Sequence, residues 1–367
     1  MKKHAIPLAI LTFFPAAAMA QSSVTLYGLI DAGITYLNST TAGGAVVQGQ
    51  DGAISPSRWG LKGSEDLGGG TSAIFTLENG FSIFRGTLGQ GGLEFGRQAF
   101  VGLANERYGS MTLGRQYDAM VDMIAPFTAN GMWSTSFMHP GDNDNTNRGF
   151  RLNNAVKYTS PSVAGVRAEA AYAFGGQPGS VTANSAWTAG LSYANGPLSA
   201  ALGYTDMKNP AANDAGTFWS TSNVISGAYA LASSSYHTYG GAAAYTIGPT
   251  KTSLSFTDSV FRHGYLGGNV EFRNYEINSA WYVRPQWLLA AAYAYTTTQR
   301  DVGGNAPDYH QVSLMCDYFL SKRTDLYLDA SWQLALGPGA RAQVNQFLSA
   351  SGTNRQLAVS AGIRTRF

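Results

Sequence analysis

The sequence predicts an all-β fold in which sixteen antiparallel strands close into one transmembrane β-barrel. Three observations lead to this prediction. Apolar and polar residues alternate in segment after segment, short and long connections take turns between the segments, and charged residues make up only 13% of the chain. A soluble domain usually carries about 25% charged residues, so we infer that much of the surface does not face water. The barrel is expected to occupy residues 21–367 as one domain.

Residues 1–20 are predicted to be a secretory signal peptide rather than part of the barrel. Lys2 and Lys3 form its positive start, residues 6–14 its apolar centre, and the small residues A-M-A its cleavage site. A short membrane anchor is the alternative, but the apolar centre is too short for one. Without the two lysines, 22 basic residues balance 22 acidic ones. This balance lacks the electrostatic footprint of a nucleic-acid-binding protein.

Each predicted strand shows a period of two residues. Near the N-terminus, Val24, Leu26 and Ile34 share one face, and Asp31 lies on the other. Side chains of a strand point alternately to opposite faces, and repeated segments of about ten such residues are typical of transmembrane strands. The predicted strands are 24–36, 54–65, 71–81, 95–104, 109–116, 153–160, 164–174, 184–194, 197–207, 236–248, 250–260, 270–283, 286–297, 308–319, 323–334 and 355–367.

The connections between these strands alternate in length. Short ones, such as DLGGG and NG, are rich in turn formers and are expected on the periplasmic side. Backbone amides in lipid have no water to bond, so the sheet must close on itself. A soluble β-sandwich or solenoid would also bury one strand face, but sixteen long strands, a leader and low charge favour the membrane. The long connections, expected to be extracellular, are 37–53, 82–94, 117–152, 175–183, 208–235, 261–269, 298–307 and 335–354.

The longest connection is the natural candidate for narrowing the barrel. Sixteen strands leave an aqueous channel, so passive diffusion through the hole is the predicted function. Connection 117–152 contains four acids and an apolar centre, MVDMIAPF. Loops of this length are usually functional or disordered, and because the apolar centre indicates that part of this one packs, we expect it to fold inward. Asp118 and Asp122 are its candidate pore-lining acids.

The wall opposite an acidic loop is expected to be basic. Parity places Arg58 and Lys62 inward, because their apolar neighbours take the lipid face. Charge on the lipid face would cost about 2–4 kcal/mol at mid-membrane. The same argument places Arg151 inward. Arg97 shares the parity of Val101, so it reaches the lumen only if a bulge intervenes or if the opposite parity marks the lipid side.

Two other functional classes remain open from the sequence. An outer-membrane hydrolase would need a Ser–His grouping, and the four histidines of the mature chain show none. No cofactor or metal is predicted, because metal-ligand spacing is absent. The single cysteine, Cys316, excludes an intrachain disulfide framework. An adhesive barrel would use its loops, of which 208–235 is long and rich in Asn, Ser and Tyr.

Several motifs follow one another from the leader to the last residue: QSSVTLYGLIDAGI, SRWGLKGSEDLGGGTSAIFTLENGF, RQAFVGL, YGSMTLGRQYD, NAVKYTSP, YFLSKRTDLY and GIRTRF. In this order they resemble the general porins of β-proteobacterial outer membranes. The resemblance implies a homotrimer of sixteen-stranded barrels in outer-membrane lipid that pass ions and small hydrophilic solutes by diffusion. It also implies that the third extracellular loop folds inward.

The resemblance also names site residues. It implies that Arg58, Arg97 and Arg151 line the narrowest point, and it makes Arg115, at the entry to the long loop, a further candidate. It implies that Phe367 is part of a signal read by the outer-membrane insertion machinery. If arginines dominate the narrowest point, we expect a weak preference for anions, because rings of basic side chains favour them.

Overall fold

A single closed antiparallel sheet forms the body of the protein. The computed structural model describes residues 22–213, 220, 222–304 and 306–367; the expected leader and part of connection 208–235 lie outside these residues. The described strands are β1 (Ser23–Leu37), β2 (Val46–Asp51), β3 (Arg58–Gly68), β4 (Thr71–Gly80), β5 (Gln98–Asn105), β6 (Gly109–Gln116), β7 (Leu152–Thr159), β8 (Val166–Ala173), β9 (Ala186–Asn195), β10 (Leu198–Lys208), β11 (Ser235–Ile247), β12 (Thr250–Tyr265), β13 (Gly268–Arg284), β14 (Trp287–Arg300), β15 (Asp308–Phe319), β16 (Thr324–Leu336) and β17 (Arg355–Arg366).

The sheet closes where its last strand meets its first. From β3 to β17 each strand pairs with the next one along the chain, and β17 pairs with β1 over nine positions that include Ile34 with Ala361. Closure leaves no edge across the membrane, as a sheet in lipid requires. The predicted sixteen-stranded barrel is therefore confirmed, with β2 as an additional short strand.

β2 and β3 together occupy the place of the second strand of the barrel, because both pair with β1. One part of β1, residues 23–29, pairs with β3, and another part, residues 32–37, pairs with β2. Residues 52–57 between them leave the ladder, so the prediction of a strand over 54–65 is wrong for its first four residues. The reason lies at two positions. Gly52 has φ +64°, and Pro56 has no N–H to offer a ladder.

The two faces of the barrel differ as the alternation predicts. Leu26 and Ile277 expose 58% and 49% of their surface on the outer face. Thr35 and Asn274, on the opposite face of the same wall, are fully buried. An apolar exterior on a closed sheet is the surface that lipid requires.

Short turns join the strands at one end of the barrel, and long connections join them at the other. The predicted long connection 261–269 is an exception, because β12 and β13 continue to Tyr265 and from Gly268, leaving a two-residue turn. The described parts of the connections hold α1 (Ala129–Met132), α2 (Gly227–Ala232), a π-helical turn (Met120–Ile124) and five 3₁₀ turns. The 3₁₀ turns are Gln90–Gly92, Ala125–Phe127, Thr135–Phe137, Pro140–Asp142 and Pro210–Asn213. Among the described residues, no helix is long and apolar enough to cross a membrane.

Loop 117–152 folds into the barrel. Its apolar centre packs against Ala201 and Ala242 on the inner wall. Two glycines make room for it: a Cβ on Gly190 would lie 2.7 Å from Cγ of Met123, and one on Gly203 would lie 3.0 Å from a side-chain carbon of Ile124. Small residues on β9–β11 thus form the seat of the loop.

A substitution on the outer face of the barrel tests which side of the wall contacts lipid. Leu202, at the middle of β10, is 62% exposed and pairs with Leu191 and Gly241. We expect Leu202→Arg to reduce the free energy of unfolding in phospholipid vesicles by about 2–4 kcal/mol. Ser199→Arg, on the lumen face of the same strand, is the control and should change stability little. Equal losses in the two variants would contradict the assigned faces.

Candidate channel constriction

A narrow polar cavity of about 120 Å³ lies between the barrel wall and loop 117–152. Wall residues from the segment 54–58 line one side, and loop residues from 130–135 line another. Among the described residues that line it there is no aspartate or glutamate. Five arginines do line it, and we call them the arginine cluster: Arg58, Arg97, Arg148, Arg151 and Arg364.

One carboxylate serves two members of the cluster. Nε of Arg97 lies 2.6 Å from Oε1 of Glu78, and Nε of Arg58 lies 4.0 Å from its Oε2. Tyr27 donates a third contact to Glu78 at 3.0 Å. Arg58 also donates to the carbonyl of Pro56 at 3.0 Å. Because one negative charge faces two positive ones, this side of the cavity keeps an excess of positive charge.

A bulge brings Arg97 into the lumen. Its backbone N–H donates to the carbonyl of Glu78 at 3.1 Å, while the next residue, Gln98, is the strand partner of the same Glu78. Two consecutive residues therefore oppose one, which is the geometry of a bulge and breaks the alternation. Arg97 therefore lines the cavity together with Arg58, although Val101 on the same parity faces outward.

Arg151 extends the positive field to the loop side. It is fully buried, and it donates to the hydroxyl of Tyr117 at 3.2 Å. Its guanidinium carbon lies 5.1 Å from the centre of the Tyr117 ring. Burial would raise the pKa of Tyr117, but Arg151 and Arg97 outweigh it and lower that pKa below its ordinary value. Favouring the ionised phenol in this way indicates a strongly positive surrounding.

Arg364 is held by acids of the neighbouring strands. Its Nε donates to Oδ1 of Asp325 at 3.1 Å, and its Nη2 lies 3.4 Å from Oδ2 of Asp317. Arg366 shares Asp325 at 2.9 Å. Neither Arg364 nor Arg148 was a predicted site residue. The sequence could have indicated Arg364 as a lumen residue, because it falls on the polar parity of the last strand. No sequence pattern indicates Arg148, which lies in an irregular part of the loop.

Comparison with known proteins decides the family. Residues 8–333 match the family model described as Gram-negative porin. The chain belongs to the Gram-negative porin family. It is 32% identical over 415 residues to an outer membrane porin protein of Bordetella pertussis, with all of both chains covered. It is also 32% identical over 341 residues to outer membrane porin protein 32 of Delftia acidovorans, covering 89% of this chain and 88% of that one.

A solved porin structure agrees with these relatives. The structure described as an anion-selective porin from Comamonas acidovorans superposes with a TM-score of 0.76 and 25% sequence identity, covering 95% of this chain and all of the other. This chain is therefore an outer-membrane porin, a channel through which ions and small hydrophilic solutes diffuse. Its family is one of channels rather than enzymes.

Asp118 does not line the channel of this porin. It is fully buried, and its carboxylate accepts from Thr205 Oγ1 at 2.8 Å, Asn145 Nδ2 at 2.9 Å and the Val121 N–H at 3.2 Å. Burial raises the pKa of Asp118 to about 6. The expectation of a pore-lining acid is thus wrong for Asp118, because its acceptors are used to fasten the root of loop 117–152 to the wall.

Asp122 does face the lumen, in a small ionic group of its own. It pairs with Lys157, whose Nζ also lies 3.4 Å from Oε2 of Glu169 and donates to the carbonyl of Tyr117 at 3.2 Å. None of these side chains lines the cavity of the arginine cluster. The acidic side of the channel therefore lies away from its narrow polar cavity.

Arg115 and Lys62 also lie outside that cavity. Arg115 donates to the carbonyl of Gly96 at 2.9 Å and to Asn153. Contrary to the expectation, it does not line the cavity. The pairing of β6 with β7 shifts register between Gly114 and Gln116, so Arg115 lies at an irregularity of the ladder and is buried, although Leu113 on the same parity faces outward. Lys62 is exposed in the lumen, with its ammonium 5.5 Å from the centre of the Tyr27 ring.

Phe367 lies at the seam of the barrel. Its N–H donates to the carbonyl of Gly28 at 3.0 Å, and its carbonyl accepts from the Gly28 N–H at 3.1 Å. A Cβ on Gly28 would lie 2.6 Å from the Phe367 ring. The ring therefore covers a glycine on the outer face of β1 and remains 46% exposed.

Proposed function

We propose that this porin prefers anions. The observation that supports the proposal is the arginine cluster, in which five guanidinium groups line one cavity without a carboxylate among the described lining residues. Fixed charges of one sign in a narrow, low-dielectric site attract counter-ions and exclude ions of the same sign. An anion at this point meets an attractive potential, and a cation meets a barrier.

The acids near the cluster support this direction rather than cancel it. Glu78 holds Arg58 and Arg97 from the wall, and Asp325 holds Arg364. These carboxylates do not line the cavity, so they orient the guanidinium groups without offering a cation a binding site. The similarity to a structure described as an anion-selective porin supports the same direction.

The sign of the reversal potential tests the proposal. In planar bilayers with a tenfold KCl gradient, we expect the reversal potential of the wild-type channel to have the sign of the chloride equilibrium potential. The arginine cluster provides the physical reason. A reversal potential of the sign set by potassium would refute the anion preference while leaving the channel intact, because conductance itself would persist.

Other properties are proposed on the resemblance to general porins. These are assembly as a homotrimer in outer-membrane lipid, removal of residues 1–20 as a leader to leave residues 21–367 as one domain, and reading of Phe367 by the insertion machinery. Electrophoresis of unheated samples, with light scattering in detergent, measures the mass of the assembly. A monomer in both would overturn the proposed trimer.

A further inference from the structure

The barrel wall contributes its own inward segment to the constriction. Residues 52–57, which we call the inward bend, lie between β2 and β3 and leave the sheet ladder. Ala53 and Ile54 are buried inside the barrel. Ile54, Ser55 and Pro56 line the same cavity as the arginine cluster. The channel is therefore narrowed from two sides, by loop 117–152 and by the inward bend.

One residue of β1 holds the inward bend in place. Oδ2 of Asp31 accepts from the N–H groups of Ile54 at 3.1 Å and Ser55 at 2.7 Å. The backbone of Asp31 accepts from the Gly52 N–H at 3.0 Å, and it both donates to and accepts from the hydroxyl of Ser57, at 3.1 and 3.2 Å. Asp31 thus contacts the start, the middle and the end of the bend.

Asp31 is itself fixed from the opposite side. The hydroxyl of Tyr327, on β16, donates to its Oδ1 at 2.6 Å. Asp31 is fully buried and is not among the residues that line the cavity. A buried carboxylate with this many donors costs a great deal to rearrange, since each lost partner leaves a desolvated acceptor. The bend therefore has one well-defined position.

The tip of loop 117–152 rests on the inward bend. Thr135 donates its hydroxyl to the carbonyl of Ala53 at 2.7 Å and approaches that of Gly52 at 3.1 Å. Ser134 donates to the same Ala53 carbonyl at 3.3 Å. On its other side, the bend offers acceptors to Arg58, namely the Ser55 hydroxyl at 3.3 Å and the Pro56 carbonyl at 3.0 Å.

We propose that Asp31 is a positioning residue for the constriction. It acts through the inward bend, and it sets both the depth to which the loop tip extends and the direction of the Arg58 guanidinium. It does so without contacting a solute. The proposal concerns the width of the channel and goes beyond the proposed anion preference.

Single-channel conductance in symmetrical salt tests the proposal. We expect Asp31→Ala to release the bend and to raise the single-channel conductance to about 1.5–2 times the wild-type value, because the narrowest cross-section limits conduction. Asp31→Asn keeps the shape and an acceptor oxygen for the bend, and it should restore conductance to near the wild-type value. Thr35→Ala is the matched control, since Thr35 is equally buried on the same strand face and bonds Ser360 instead of the bend.

The Thr135→Val variant is a second test of the proposal that changes no residue of the barrel wall. It removes the hydroxyl with which the loop tip bonds the bend, so it should also raise conductance, even if Asp31→Ala fails to insert into membranes. Wild-type conductance in Asp31→Ala or Thr135→Val, or an equal rise in Thr35→Ala, would overturn the proposal. Because symmetrical salt carries no information on ion preference, these outcomes are distinct from failure of the proposed anion preference.

Discussion

Replacing His139 with alanine is expected to free the far part of loop 117–152 and to raise the conductance of the channel severalfold. His139 is fully buried, with Nδ1 2.6 Å from Oδ2 of Asp144 and Nε2 3.3 Å from Oε2 of Glu276. Glu276 belongs to β13, so the imidazole joins the loop to the wall. Removing it leaves two buried carboxylates without their cation, a change that costs about 3–5 kcal/mol.

The pH dependence follows from the same contacts. Burial opposes protonation, but Asp144 and Glu276 outweigh it and raise the pKa of His139 to about 10. This value lies above the ordinary pKa of about 6.5. The stabilisation is therefore complete below about pH 6.5 and is lost as the pH rises through about 10. Three other polar side chains surround His139 and Asp144. They are Asp142, Thr257, whose hydroxyl donates to Asp144, and Asn274, whose amide lies beside Asp144.

Conductance recorded between pH 7 and pH 10.5 measures this effect. The wild-type current should rise at the alkaline end, and His139→Ala should show the higher current throughout, without the rise. His310→Ala is the control, because that imidazole stacks on Tyr295 on the outer face and does not contact the loop. A variant at position 139 with wild-type current at every pH would show that the loop is held without His139.

Removing two arginines from the cluster is expected to abolish most of the proposed anion preference. Arg58 is partly exposed in the cavity, with 26% of its side chain accessible, and Arg148 lines the same cavity from the loop. A unit charge about 4 Å away contributes about 1 kcal/mol even in water, or roughly a fivefold change in ion occupancy. The double variant Arg58→Gln/Arg148→Gln should therefore shift the reversal potential strongly towards zero.

Lys62→Gln is the matched control for this double variant. It also removes a positive charge from the lumen, but Lys62 lies outside the cavity of the arginine cluster. Its reversal potential should stay near that of the wild type. An equal shift in Lys62→Gln would mean that the total charge of the lumen, rather than the cluster, controls selectivity. Melting of the folded protein on gels checks that both variants retain the barrel.

The sequence predicted the fold well because lipid imposes one simple rule on every strand. Apolar side chains must face outward at every second position, and residues such as Leu26 and Ile277 do so. The rule fails where the chain leaves the regular ladder. Residues 54–57 of the inward bend were assigned to a strand, and alternation alone could not place Arg97, because it carries no information on bulges.

The site was less predictable for a related reason. Parity separates lumen from lipid, but it does not distinguish a side chain at the constriction from one that anchors a loop. Asp118 and Asp122 have similar sequence surroundings, yet one is a buried anchor and the other faces the lumen. The glycines that seat the loop, Gly190 and Gly203, are small residues in strands and gave no sign of what would pack on them.

The seam between β1 and β17 makes the filter of this channel depend on completion of the cylinder. Arg364 stands in the final strand, whereas the other four guanidinium groups come from the first half of the chain. Only the joining of the two ends brings Arg364 beside Arg58. An unfinished barrel, with its ends apart, would hold an incomplete ring of charge, so correct selectivity and a sealed wall arise in one and the same assembly step.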